Sequence, residues 1–246
     1  MDGVLFWVCA IAASSLVGMG KGGMPVVGML GVPVLALAIS PVTAAGLLLP
    51  VYVLSDMFAL YAYRRVFDRR VLAILMVGVT VGVGLAWAAA SITPEWLVTT
   101  IVGLIGAVFS LRLLMRRGAV APQAPKVAPG LFWGAVTGFT SFVSHSGAPP
   151  FQVYVLPLGL QKMVYAGTST ILFAYLNGIK LVPYWALGQF TPNNLKIAAL
   201  LMPVAGASVF AGVKLVKVVP ERQFFQLITW ALLAISIKLI WSGLAN

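Results

Sequence analysis

The residues best placed to do chemistry sit in two short interruptions of otherwise apolar sequence. The first, Gly18-Met19-Gly20-Lys21-Gly22-Gly23-Met24-Pro25, sets one lysine among four glycines and closes on a proline. Glycine allows φ > 0 and lets a ligand approach the backbone closely. Proline suits the first turn of a following helix. The second interruption, Ser144-His145-Ser146-Gly147-Ala148-Pro149-Pro150, ends the same way and places the chain's single histidine between two serines. Each reads as an opening helix N-terminus, with roughly half a positive charge and several unpaired N–H groups. Gly20, Lys21, Gly22, Gly23 and Met24, with Ser144, His145, Ser146, Gly147 and Ala148, are therefore candidate binding residues, and the ligand they suit is a small anion.

Lys21 is the sharpest of these signals. A lysine at the centre of a membrane helix costs about 2.5–3.5 kcal/mol on the insertion scale, so it needs a partner anion. That partner is expected to be the ligand. The alternatives are an ion pair with Asp56, the only carboxylate deep in an apolar segment, or snorkelling to an interface. His145 either holds a proton near neutral pH, and so serves coupling or anion binding, or is a satisfied polar residue in a break. Asn177 and Lys180, three apart, share a helix face, and a site role and a structural one are equally open for them. Thr168, Ser169 and Thr170 stand on the same predicted helix, where hydroxyls often only bond across to a neighbour. Lys238 reads as a snorkelling lysine near a helix end.

These residues must be positioned by elements that live in lipid. Hydrophobic residues make up 61% of the 246, and charged residues only 9%, against about 25% charged in a soluble domain. Apolar segments fall at 3–17, 24–39, 42–62, 71–91, 96–114, 130–143, 150–160, 163–187, 194–213 and 223–243. Several approach the roughly 20 residues that span a bilayer as helix. The runs are continuous rather than alternating, which excludes a barrel and leaves an all-α integral membrane protein. The start of the chain has Asp2 and no basic region, so segment 3–17 reads as a retained membrane segment rather than a cleaved signal.

The chain also repeats itself. Gly22-Gly23-Met24-Pro25 matches Gly147-Ala148-Pro149-Pro150 at an offset of 125, and Pro94-Glu95 matches Pro220-Glu221 at 126. Ala45-Gly46 matches Ala166-Gly167, and Asp56 matches Asn177, both at 121. Residues 1–114 form a first repeat, 115–129 a linker, and 130–246 a second repeat. Each repeat is a broken element followed by three transmembrane helices. If the broken element is a re-entrant hairpin, the two repeats are inverted. Loop 63–70 then shares a side with 112–126, Lys162 and 214–222, for a total of +10, while Asp2, Glu95 and Lys196 leave −1 opposite. A single crossing in place of each hairpin gives a weaker asymmetry, so the positive-inside rule favours inversion, with the basic loops and linker cytoplasmic. Trp7, Trp87, Trp96, Trp185 and Trp241 then fall near the outer interface. In that arrangement the two breaks approach from opposite faces, can meet, and build one site from paired half-helix ends.

Other classes fall away. The net charge of +11 clusters in short loops, as topology requires, and no nucleic-acid-binding pattern is present. One cysteine, Cys9, excludes an intrachain disulfide or a thiol relay, and no zinc, haem or other cofactor signature appears. Gly20-Lys21-Gly22 has no preceding strand and no following Ser or Thr, so it is not a nucleotide-phosphate loop. One histidine and sparse carboxylates leave no catalytic set.

The Gly18–Pro25 break, the run from Gly138-Phe139-Thr140-Ser141 to Pro149-Pro150, Gly167-Thr168-Ser169, and Asn177 with Lys180 together resemble the TauE/SafE sulfite exporter family, also called the TSUP anion permeases. The resemblance covers nearly the whole chain. It implies export of sulfite, sulfoacetate or related sulfonates across the bacterial inner membrane, with a small anion and the bilayer as partners. It leaves open the particular anion, the coupling ion, and a monomer or homodimer. An uptake permease or channel for another organic anion, and a non-transporting membrane assembly protein, are the alternatives.

Overall fold

The computed structural model describes residues 3–90, 92–115, 122–188 and 192–245. Asp2, Arg116 and Arg117, which entered the loop-charge argument, lie outside them, as does part of the linker. Every regular element among the described residues is helical. In chain order they are α1 Val4–Lys21, α2 Pro25–Gly28, α3 Gly31–Leu35, α4 Pro41–Tyr63, α5 Arg69–Ala88, α6 Glu95–Met115, α7 Val127–Ser144 and α8 Ala148–Val155. A 3₁₀ turn at Leu156–Leu158 leads to α9 Lys162–Ala186, α10 Pro192–Val218 and α11 Glu221–Leu244.

Local chemistry sets many of these boundaries. The Ser40 hydroxyl accepts the Thr43 N–H and caps α4, and the Asp68 carboxylate does the same for Val71 at the start of α5. Glu95 and Glu221 open α6 and α11, where a negative charge complements the positive end of the helix. Among the described residues, seven helices are long and apolar enough to cross a membrane. α9 has 25 residues but is more polar, and its Thr168, Ser169, Thr170, Asn177 and Lys180 are all buried. Large apolar side chains such as Val77, Val81, Leu104 and Val108 face outward instead. Exposed apolar groups around buried polar ones are the distribution expected of a chain whose solvent is lipid.

Both broken elements fold back as hairpins. After α1 the chain turns at Gly22–Met24, with Gly23 at φ +116, a conformation costly for any residue with a side chain. α2 and α3 then return beside α1, since a Cβ on Gly20 would stand 2.5 Å from the Gly28 Cα, and one on Gly31 would meet Val17 and Ala13. After α7 the turn residue is His145, in the left-handed region at φ 53. α8 returns along α7 until the Tyr154 hydroxyl donates to the Lys126 carbonyl at 3.0 Å. Segment 24–39, read from hydropathy as one apolar run, is two short helices split at Met29–Leu30.

The elements gather into two compact units that interleave the sequence halves. One comprises Met1–Phe67 and Ala166–Val219, the other Asp68–Tyr165 and Pro220–Asn246. In the first unit α1 packs alongside α10, with Gly18 against the Ala205 carbonyl and Gly22 against Gly212. In the second, α7 packs alongside α5, with Gly134 against Gly78 and Gly138 against Val79. Each pair runs parallel. α4 and α9 run antiparallel in the first unit, through Asp56 with Asn177 and Tyr63 with Gly167. α6 and α11 run antiparallel in the second, through Gly106 with Ser236 and Thr100 with Gly243. Small residues at these seams let backbones approach, which is how helices gain packing where lipid is as apolar as leucine.

The α1–α10 seam yields a direct test. A Cβ on Gly212 would lie 2.7 Å from the Met19 carbonyl oxygen, whereas nothing stands within 4 Å of one on Gly84. Gly212→Val should destabilise by about 1–3 kcal/mol through overpacking, and Gly84→Ala should be neutral or mildly stabilising. Thermal unfolding of the purified proteins checks both.

Candidate functional site

The two breaks are built by different chemistry. In the first unit, Lys21 ends α1, a favourable place for a cation at a helix C-terminus. Its Nζ lies 2.6 Å from Asp56 Oδ1 and 5.3 Å from the centre of the Tyr52 ring. Asp56 Oδ2 accepts from Asn177 Nδ2 at 3.0 Å. Lys180 follows one turn after Asn177, with its Nζ 5.8 Å from the centre of the Tyr184 ring. All four polar residues are buried: Lys21 is 5% exposed, Asp56 2%, Asn177 5% and Lys180 0%. Of the alternatives for Lys21, the structure forms the ion pair.

The backbone of this break is held by side chains. Tyr63 Oη donates to the Gly22 carbonyl at 2.6 Å, Tyr52 Oη to Gly28 at 2.8 Å, and Thr170 Oγ1 to Lys21 at 3.0 Å. These meet carbonyls left over where α1 ends and α2 stops. Thr170 thus bridges to a neighbouring helix, while Ser169 Oγ donates to Ala166 within α9 and Thr168 is buried beside them. Gly20 serves the close approach to Gly28, Gly22 the approach to Gly212, and Met24 is buried.

In the second unit the break spends its donors on itself. Ser144 Oγ donates to the Thr140 carbonyl at 3.2 Å and Ser146 Oγ to the Ser144 carbonyl at 3.0 Å. The Ser146 N–H reaches the Thr140 carbonyl at 3.3 Å, closing α7 around His145. His145 is half-buried, while Gly147 and Ala148 are buried at the start of α8.

Prolines thin the N–H groups at both helix ends. Pro149 and Pro150 have no N–H to give, and the Phe151 N–H bonds the Gly147 carbonyl at 3.3 Å. At the first break Pro25 again removes a donor, the Met24 and Val27 N–H groups are engaged, and α2 is only four residues long. Tyr52 and Tyr184 were absent from the sequence-level candidates, yet each stands one helical turn from a key residue, Tyr52 before Asp56 and Tyr184 after Lys180.

The family model for sulfite exporter TauE/SafE matches residues 4–239. The chain belongs to this family. No curated protein and no solved structure matches it. As a TauE/SafE member it is a multi-pass membrane protein of a transporter family, an anion exporter or permease, and its buried lysines lie in a protein whose cargo is negatively charged.

The ion pair makes a testable statement about stability. Lys21→Met leaves the Asp56 carboxylate buried without its cation and should cost about 3–5 kcal/mol, whereas Lys21→Met with Asp56→Leu should recover most of that loss. Thermal or denaturant unfolding of both variants in one detergent measures the difference.

Proposed function

We propose that this TauE/SafE protein is a secondary transporter, working as an exporter, of small sulfur-containing anions such as sulfite, sulfoacetate or other sulfonates across the bacterial inner membrane. The observation that carries this reading is a buried, lysine-bearing polar cluster in a chain of the TauE/SafE family. Among the described residues of the first unit, the buried lysine and carboxylate side chains are Lys21, Lys180 and Asp56. Lys21 and Asp56 lie 2.6 Å apart. Charge buried in an apolar interior favours a counter-charge beside it. A transported anion arriving near Lys180, with Asn177 and Tyr184 near by, adds negative charge to a cluster that carries two lysines. Lys21 then acts mainly by fixing Asp56 and the hairpin tip, and Asp56 by orienting Asn177.

The same reading takes the fold as two inverted repeats. Helices that correspond by sequence offset, α4 with α9 and α6 with α11, lie antiparallel side by side, as an in-plane two-fold axis demands. Each hairpin pairs in parallel with the middle long helix of the other half, α1 with α10 and α7 with α5. The basic loops are taken as cytoplasmic on the positive-inside rule. No nucleotide-binding loop is seen in the sequence, so an ion gradient or the anion's own gradient drives the flux. His145 keeps a left-handed backbone that glycine would adopt more cheaply. That choice supports a role for its imidazole in proton coupling or anion contact.

Lys180→Met tests the charge argument, because it removes a buried cation while leaving Lys21 paired with Asp56. The variant should fold, and should lose the stabilisation that sulfite confers on the parent, about 2.7 kcal/mol at a hundredfold excess over Kd. Sulfite flux in proteoliposomes should fall with it. Undiminished sulfite stabilisation of Lys180→Met would overturn the assignment.

A further inference from the structure

α6 is the least buried of the seven apolar helices. Where it passes α7 and α8 it leaves a groove of about 380 Å³, walled by Leu104, Val108, Phe109, Trp133 and Val153, with Arg112 at one end. A second apolar hollow of about 440 Å³ continues along α6 beside α5 and α7, and Ile105 lines both. All these residues belong to the second compact unit. From Leu104 to Arg112 the helix rises about 12 Å. That is close to the roughly 15 Å half-thickness of a bilayer's hydrocarbon core.

Arg112 is exposed in the last turn of α6, and among the described residues its guanidinium makes no ion pair and no hydrogen bond. The same end of the unit holds the starts of α5, α7 and α11, where Arg69, Arg70, Lys126 and Arg222 are also exposed. Of the acidic residues there, Asp68 caps α5 and Glu221 opens α11. The groove therefore runs from an apolar floor to a basic mouth.

We propose that this groove binds one anionic phospholipid, with an acyl chain along Leu104, Val108 and Phe109 and the phosphate at Arg112. The site is separate from the lysine cluster of the first unit. Basic pockets between membrane helices suit anionic head groups, and a guanidinium can meet a phosphate through two parallel hydrogen bonds. Trp133 borders the groove with an apolar ring and one N–H, a side chain suited to the zone where hydrocarbon gives way to head groups. A zwitterionic lipid would bring its own cation to an end already rich in arginine. A second copy of the chain would bring its own basic end to the same depth of the bilayer, so like charges would meet.

The test uses full-length protein purified in a neutral detergent, with dioleoylphosphatidylglycerol, dioleoylphosphatidylcholine and inorganic phosphate as probes. Native mass spectrometry reads the lipid retained, and thermal unfolding reads the stabilisation. The parent should retain the anionic lipid about fivefold better than the zwitterionic one, the worth of one basic residue near an anionic surface. Arg112→Gln should lose that preference and, without lipid, unfold at the parent's temperature. Lys238→Gln, toward the other end of α11, should keep it. Val108 is 49% exposed, so Val108→Trp fills the groove from its open side and should lower retention of both lipids. Equal retention of the two lipids by the parent, or a preference that survives Arg112→Gln, would overturn the proposal. An equal loss in Lys238→Gln would reduce the preference to net charge and remove the site. Stabilisation by inorganic phosphate equal to that by the anionic lipid would make the ligand a free anion, which also defeats the proposal. So would undiminished retention by Val108→Trp, or a lipid-free dimer that this substitution breaks, since the groove would then be a contact between copies.

Discussion

The first unit depends on one buried contact, the 2.6 Å pair between Lys21 and Asp56. Two charges withdrawn from water carry a desolvation penalty that their attraction repays only with good geometry and further hydrogen bonds. Both are supplied. Asn177 satisfies the second carboxylate oxygen, and the Tyr52 ring stands 5.3 Å from the ammonium. The pair joins the end of α1 to the middle of α4, and Asn177 extends the link to α9. Polar backbone at Gly22–Met24 survives in an apolar interior because this anchor and the hydroxyls of Tyr63 and Thr170 hold it in one place. A hairpin tip without such bonds would expose unpaired carbonyls to hydrocarbon.

The contact between Asp56 and Asn177 shows how much the sequence discloses. The two were matched as repeat equivalents 121 residues apart, and they touch. In the inverted reading this has a geometric reason: a residue close to a two-fold axis meets its own counterpart. Evolution can then differentiate the pair, a carboxylate on one side and an amide on the other, and one accepts what the other donates. The hairpins were legible for a related reason. Their Gly and Pro residues mark the turns, and the positive-inside rule favours a hairpin over a single crossing. Hydropathy alone placed the long helices within a few residues.

Other features were out of reach for identifiable causes. The split of segment 24–39 at Met29–Leu30 lies between Gly28 and Gly31, with Pro33 beyond, and hydropathy passes over such breakers because the run stays apolar whether it is one helix or two short ones. The interleaving of the halves into two units is a tertiary fact, set by which glycine seams meet. Gln152 sits between aromatic and β-branched neighbours, and nothing local distinguishes a buried glutamine from one at a bundle surface. The shortage of N–H donors at the breaks, by contrast, could have been read directly: Pro149 and Pro150 announce it. The prolines that mark a helix start also remove the groups a helix-end anion site would use.

That shortage shapes what the protein can do with an anion. Where backbone N–H groups cradle a ligand, affinity is fixed by main-chain geometry and changes little as side chains move. Here the buried lysines of the first unit are Lys21 and Lys180, and Lys21 is paired with Asp56. Under the proposed function, a cluster of this kind meets an anion through side chains, whose positions depend on the helices that carry them. A ligand that binds better when those helices stand in one arrangement shifts the protein toward it, and by no more than its difference in affinity between the two. The ion pair ties the end of α1 to α4, so any movement of one that keeps the pair carries the other with it.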